Sequence, residues 1–204
     1  MKTIAIFDFD GTICQSFDLI VACLQKKSPT QLDPNHLRTL PSKDVVKAVG
    51  LKLVDLPGMI LSVRKSFKEN IATQSVVPQL KESLVELKNK GVSLHIVSSN
   101  SEENIEMWLE NNGCRDIFDS IYSASTIFGK AKVLKSMMKT NKIDKDLCVY
   151  IGDETRDIQA AKEVGLESIA VSWGYNTLDI LSTYEPTYLC KVPKDIFELR
   201  CFQR

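Results

Sequence analysis

Asp8-Phe9-Asp10-Gly11-Thr12 follows directly on the apolar run Thr3–Phe7 (TIAIF). A short β-branched run of this kind suits a strand buried in a parallel sheet, and ligands of open α/β sheets bind at the carboxyl ends of the strands. Two carboxylates at i and i+2 would leave that end together. Asp8 suits a nucleophile, and Asp10 suits a general acid that later serves as a base. Gly11 permits a sharp turn directly after the two acids. Asp and Gly are also ordinary turn residues, so the pentapeptide taken alone also reads as a surface turn.

Three further strand-like runs end in groups of the same kind. Ser98-Ser99-Asn100 follows Val92–Val97. A hydroxyl at a helix N-terminus can bind phosphate oxygens, with Ser98 and Ser99 both available. The plain alternative is a helix cap, with Asn100 and Glu103 as a capping-box-like pair. Gly129-Lys130 opens a helix after Ser120–Ser123, where a lysine could neutralise phosphate. Lys132 competes with Lys130, which is favoured by its place at the loop-to-helix junction, although most lysines are solvated. Gly152-Asp153-Glu154-Thr155-Arg156-Asp157 follows Leu147–Ile151. Carboxylate oxygens of this sort suit Mg²⁺. A helix dipole favours one acid at its N-terminus, but it explains three acids less well.

The elements that would bring these groups together are legible. Strand-like runs at Thr3–Phe7, Val92–Val97, Ser120–Ser123, Leu147–Ile151, Ser168–Ser172 and, more weakly, Thr187–Cys190 alternate with helical stripes. The stripes are Leu80/Leu84/Leu87, Ile105/Trp108/Leu109, Val133/Leu134/Met137/Met138 and Ile158/Ala161/Val164, and Pro193–Leu199 closes the chain. This alternation predicts an α/β fold with a mostly parallel, doubly wound (Rossmann-like) sheet. From about Cys14 to Val77 no strand is legible. Phe17–Lys26, Ser42–Val49 and Leu61–Ile71 read as helices separated by prolines, with Ser42 a candidate cap. The expectation is an inserted α-helical subdomain over residues 15–78, carried by a core of residues 1–14 and 79–204.

Composition excludes several classes. Lys plus Arg and Asp plus Glu each number 26 in 204 residues, so the net charge is zero. That balance gives no reason to expect nucleic-acid or anionic-membrane binding. The six cysteines include no CxxC pair and there are only two histidines, which argues against zinc. Reduced, scattered thiols suit a cytoplasmic setting. Asp8 and Asp10 interrupt the first apolar run, so it does not read as a signal peptide. No run of about 18 apolar residues predicts a membrane-spanning helix.

In the order and separation of DFDGT at Asp8–Thr12, SSN at Ser98–Asn100, GK at Gly129-Lys130 and GDETRD at Gly152–Asp157, the chain resembles the haloacid dehalogenase superfamily. The likeness is closest to its phosphoglycolate-phosphatase-like members, and the helical insert looks like that family's small C1-type cap. The resemblance implies a Mg²⁺-dependent phosphatase acting on a small phosphorylated metabolite. Asp8 would attack phosphorus, and Asp10 would protonate the leaving alcohol and then activate water. Asp8, the Asp10 carbonyl and Asp153 would hold Mg²⁺. Asp157 would order metal-bound water or position Lys130, and Ser99 with Lys130 would stabilise the phosphoryl group. Ser99 is preferred to Ser98 because the family places the hydroxyl directly before Asn. Gly11, Thr12 and Asn100 are expected to line the substrate. Dehalogenase activity is not expected, since those members lack the second aspartate.

A phosphomutase or phosphotransferase on the same core, and a non-enzymatic binder of phosphometabolites, are the competing readings. His95 reads as a core residue within a strand, His36 lies in a loop with no assigned role, and Cys14 reads as packing. Trp173-Gly174 could line the crevice, with core packing as the equal alternative. Arg38, Lys43, Lys47, Arg64 and Lys65 in the insert read as solvated by default, with contact to an anionic substrate as the alternative. The expected state is a monomer, with a dimer as the alternative.

Overall fold

The computed structural model describes residues 1–124, 126 and 129–203. Among these, six strands form one sheet: β1 (Ile4–Phe7), β2 (Ser93–Ser98), β3 (Ser120–Ser123), β4 (Cys148–Gly152), β5 (Glu167–Val171) and β6 (Tyr188–Cys190). Their order is β3-β2-β1-β4-β5-β6, and every pairing is parallel. This is the doubly wound order, which reverses direction at β1. Each strand lies within one residue of its predicted span.

The sheet is apolar on both faces because helices cover both. Alternate residues of a strand point to opposite faces. Ala5 and Phe7 of β1, Leu94 and Ile96 of β2 and Val149 and Ile151 of β4 join one buried cluster. Ile6, Val97, Cys148 and Tyr150 join the other. The first face is covered by α5 (Leu80–Asn89), α6 (Glu102–Asn111) and α10 (Lys194–Glu198), through Leu80, Leu84, Trp108, Leu109 and Ile196. The second is covered by α7 (Lys130–Thr140) and α8 (Thr155–Val164), through Leu134, Met137 and Ala161. A short helix, α9 (Leu178–Ser182), packs beside them through Leu181.

Between β1 and α5 the chain forms α1 (Phe17–Gln25), α2 (Pro34–Arg38), α3 (Ser42–Ala48) and α4 (Leu56–Glu69). It leaves and re-enters the sheet domain through two adjacent segments. Gln15 N–H donates to the Ser75 carbonyl at 2.9 Å and Val77 N–H to the Ile13 carbonyl at 2.9 Å. Leu24, Leu37, Val45, Val49 and Met59 make an apolar cluster of their own, joined by Tyr175 from beyond β5. The far end of α4 belongs to the sheet domain instead, where Phe67 packs edge-on against Phe9 at 5.7 Å between centroids.

Several local expectations are corrected. α2 falls where a loop is expected; Asp33 accepts the Asn35 N–H at 2.9 Å and Pro34 fills a first-turn position that needs no donor. Five residues are too few for a periodic signal. α4 begins five residues earlier than predicted, because Pro57 sits in its first turn rather than breaking it. Pro41, not Ser42, precedes α3, and the Ser42 hydroxyl lies 3.0 Å from that of Thr155. Ser101, not Asn100, caps α6 by accepting the Asn104 N–H. No helix among the described residues is long and apolar enough to cross a membrane.

Trp108 is the largest fully buried side chain. It packs edge-on against Phe9 at 5.0 Å and donates its Nε1–H to the Gln74 carbonyl at 2.8 Å. Trp108→Ala removes that volume and strands the carbonyl. Urea unfolding should register a loss of about 3–5 kcal/mol; a loss below about 1 kcal/mol would show that neighbouring side chains refill the space.

Candidate active site

The strand order reverses where β1 lies between β2 and β4, so a crevice opens at the carboxyl ends of β1 and β4. Asp8 follows β1 directly and Asp153 follows β4. The Asp8 N–H donates to the Ile151 carbonyl at 2.8 Å, which holds the two strand ends level. Phe9, between the two acids, is fully buried, and its ring anchors the turn from below while Asp8 and Asp10 face the crevice.

Asp8, Asp153, Asp157 and Lys130 are all buried. Lys130 Nζ lies 2.6 Å from Asp8 Oδ2 and 2.6 Å from Asp157 Oδ1. Lys132, the rival lysine, lines a separate surface depression with Gly129 and Tyr122. Asp157 Oδ2 accepts the Glu154 N–H at 3.0 Å, and its Oδ1 also accepts the Tyr150 hydroxyl at 3.4 Å. Asp8 Oδ1 accepts the Phe9 N–H at 2.7 Å. Asp8 Oδ2 is engaged by the Lys130 ammonium.

Asp153 is held from two sides. The Thr12 hydroxyl donates to its Oδ1 at 2.6 Å and the Tyr175 N–H to its Oδ2 at 2.6 Å. Thr12, expected at the substrate, is thus fully buried beneath the acid cluster. Two glycines make this approach possible. A Cβ on Gly11, whose φ is +79°, or on Gly174 would stand 2.2 Å from Asp153 Oδ2. The Trp173 indole donates to the Thr12 carbonyl at 3.0 Å, so it braces the turn.

Carboxylate oxygens of Asp8, Asp153 and Asp157 lie within 4.8 Å of one another and could together hold a metal ion. Asp10, the fourth candidate, stands apart from that group. Its carboxylate accepts the Ser16 hydroxyl at 2.8 Å and the Asn100 side-chain amide at 3.2 Å. Ser98 Oγ is buried and accepts the Asn100 N–H at 3.1 Å, whereas Ser99 borders the open cavity next to Asp10.

Burial dominates the electrostatics. It pushes the Asp8 carboxyl up to about 7, opposed by the Lys130 charge. Asp153 is driven well above the usual carboxylate range by burial and then by the charge of Asp8. Burial also raises Asp10, opposed by the hydrogen bonds from Ser16 and Asn100. Burial alone would lower Lys130, but Asp157 and Asp8 outweigh it and keep the ammonium charged. Arg156 adds a second positive charge that acts on Asp8 and Asp157, although it is shared with Glu154.

Above the crevice, a cavity of about 120 Å³ separates Asp10, Ser99 and Asn100 from α1, α3 and α4. Of the five basic residues considered in the insert, only Arg64 reaches it. Arg64 donates to the Ser99 carbonyl at 2.9 and 2.6 Å and to the Ala124 carbonyl at 3.1 Å. A second tie joins the Asn176 side chain to the Arg38 and Leu40 carbonyls at 3.1 and 2.9 Å. Sequence reasoning assigned neither tie, and it also missed Tyr175 and Ser16. Arg64 and Asn176 act on partners remote in the chain and Tyr175 acts through its backbone, so residue type carries no signal for them; Ser16 lies six residues from Asp10, and its hydroxyl so near the two acids is the one signal the sequence offered. All six cysteines are free and buried, and His95 contacts Ser120 Oγ at 2.7 Å within the sheet.

Residues 5–171 match the family described as haloacid dehalogenase-like hydrolase. The chain is 30% identical over 200 residues to the phosphoglycolate phosphatase of Synechococcus elongatus, covering 95% of this chain and 94% of that one. It is 24% identical over 207 residues to the pyrophosphatase PpaX of Oceanobacillus iheyensis, covering 95% and 94%. A solved haloacid dehalogenase-like family hydrolase from Streptococcus pneumoniae shares the fold, with a TM-score of 0.78 over 97% of both chains at 22% identity. The match extends over most of the sequence and takes in all four strand-end motifs; the chain belongs to the haloacid dehalogenase-like hydrolase family and stands among its phosphatases.

Proposed function

We propose that this chain is a Mg²⁺-dependent phosphatase that cleaves a small phosphomonoester through an aspartyl-phosphate on Asp8. The observation that carries the reading is the meeting of Asp8, Lys130, Asp153 and Asp157 in one buried cluster, beside a partly exposed Asp10 that opens on a cavity. In the first step an Asp8 oxygen bonds to phosphorus while the bond to the leaving oxygen breaks, and Asp10 gives that oxygen its proton. In the second, Asp10 as a carboxylate takes a proton from water. The water oxygen then bonds to phosphorus, the bond to Asp8 breaks, and phosphate leaves. The raised Asp10 pKa favours the protonated form that the first step needs.

Lys130, fixed between Asp8 and Asp157, would face the charge that develops on the phosphoryl oxygens, with the Ser99 hydroxyl beside it. Asp157 positions that lysine. The donor set fits a hard divalent cation: all ligands are oxygens, three buried carboxylates lie within 4.8 Å of one another, and Asp153 is braced by Thr12 and Tyr175. Asp8, Asp153 and the Asp10 carbonyl would hold Mg²⁺, with Asp157 behind them. When bound, the ion would neutralise phosphoryl charge and relieve the repulsion among the acids. Residues 15–78 would act as a cap that opens and closes about the paired segments near Cys14 and Val77. The relatives' names make phosphoglycolate and pyrophosphate the first substrates to assay.

Asp8→Asn keeps the side chain's shape and removes its charge. Mg²⁺-dependent phosphate release from p-nitrophenyl phosphate should fall by about 10⁴-fold or more. Retention within about tenfold would remove Asp8 as nucleophile. A second test uses pH. Without metal, the folded state holds a proton on Asp8 up to about pH 7, whereas the unfolded chain releases it near pH 4. Folding stability therefore falls as pH rises through that window. Cation binding needs the carboxylate, so the gap in thermal midpoint between Mg²⁺ and EDTA samples should widen from about pH 5 to 8. A gap that narrows with rising pH would count against the assigned ligands.

A further inference from the structure

We infer that the organic half of the substrate is uncharged and largely hydrocarbon, about the size of a short alkyl chain or a single ring, and not a second anion. This rests on the phosphatase reading, since it concerns the group that Asp10 would release. The cavity that receives that group begins at Asp10, Ser99 and Asn100, so it is continuous with the reacting centre. Most of its remaining wall is apolar, with Ile20 and Leu24 of α1, Val45 and Val46 of α3, and Met59 and Ile60 of α4; Ser42, Arg64, Glu154, Arg156 and Tyr175 are its polar members. Val46 is half-buried and faces this space without joining the insert's own apolar cluster, so a bound group would supply contacts that it lacks. The volume of about 120 Å³ is close to the ~150 Å³ apolar cavity known to accept benzene.

A carboxylate or second phosphate on the leaving group would fare badly here. No lysine lines the cavity, and its two arginines are already engaged. Arg64 directs Nε and Nη2 at the Ser99 and Ala124 carbonyls and the Ser123 hydroxyl, and Arg156 pairs with Glu154, so an anion would have to compete with these contacts. An incoming anion would meet Asp10 and Glu154 as well. Burying a charge without a partner costs more than the cavity could return. A methylene entering the same space gains the ordinary transfer energy.

The test is the specificity constant of the purified full chain with Mg²⁺ on ethyl, propyl, butyl and phenyl phosphate, beside 2-phosphoglycolate and pyrophosphate. Each added methylene should raise kcat/KM by about fourfold until the cavity is full, and butyl and phenyl phosphate should exceed both anionic substrates by about tenfold or more. A flat series, or a preference for phosphoglycolate or pyrophosphate, overturns the inference and leaves the phosphatase reading intact. No turnover of any ester, p-nitrophenyl phosphate included, defeats both. In a second arm, Val46→Lys places a cation in the cavity wall. It should flatten the chain-length dependence and favour phosphoglycolate over butyl phosphate by about tenfold relative to the parent; an unchanged slope overturns the inference. Should the variant not fold, the parent series still decides.

Discussion

Three carboxylates buried within reach of one another at the ends of β1 and β4 are the constraint that shapes this site. Buried acids repel and resist ionisation, and the surrounding structure answers each of them separately. Lys130 stands between Asp8 and Asp157. Thr12 and the Tyr175 backbone hold Asp153. Glu154 N–H and Tyr150 hold Asp157. The glycines at 11 and 174 exist where a Cβ would strike Asp153, so space as well as charge is reserved for the cluster. Carboxylate oxygens of all three acids stay within reach of one another, an all-oxygen arrangement of the kind that hard divalent cations take.

The rest of the fold keeps that cluster rigid. A doubly apolar parallel sheet fixes the strand ends, and the ring of Phe9 locks the turn between the two crevice acids against Trp108 and Phe67. Catalytic groups carried on such elements are held more closely than groups on loops. The helical insert is built differently. It has its own apolar cluster, which Tyr175 joins, and it is tied to the sheet domain by polar contacts at Arg64, Asn176 and Ser42 as well as by the packing of Phe67 on Phe9. Polar ties break and reform more readily than packed cores, which suits a cover that has to admit a substrate. Under the proposed function, labour divides accordingly: the buried sheet ends would set the chemistry, and the wall that the insert turns toward them would set selection.

Much of this was legible in the residues. Short β-branched runs alternating with helical stripes determined a doubly wound α/β fold, because periodicity and burial are local properties. Acids, a lysine and hydroxyls placed directly after strands pointed to one crevice, since in such sheets all strand ends lie along the same edge. Short or cap-dependent elements were less legible. α2 owes its existence to one Asp33 cap and one proline rather than to periodicity, and the start of α6 passed from Asn100 to Ser101 on a single hydrogen bond.

Other features were decided only by tertiary structure, because they depend on groups that are distant in the chain. Thr12 and Asp153 are 141 residues apart, and Tyr175 acts through a backbone N–H that any residue but proline would possess. Lys130 was separated from Lys132 by burial between two acids, not by spacing. Arg64 resembled its solvated neighbours until folding brought it onto the Ser99 carbonyl. The character of the cavity is likewise a tertiary property. The sequence shows that the insert is rich in apolar residues, but only packing determines which of them fill its own core and which, like Val46 and Ile60, line the cavity that Asp10 borders.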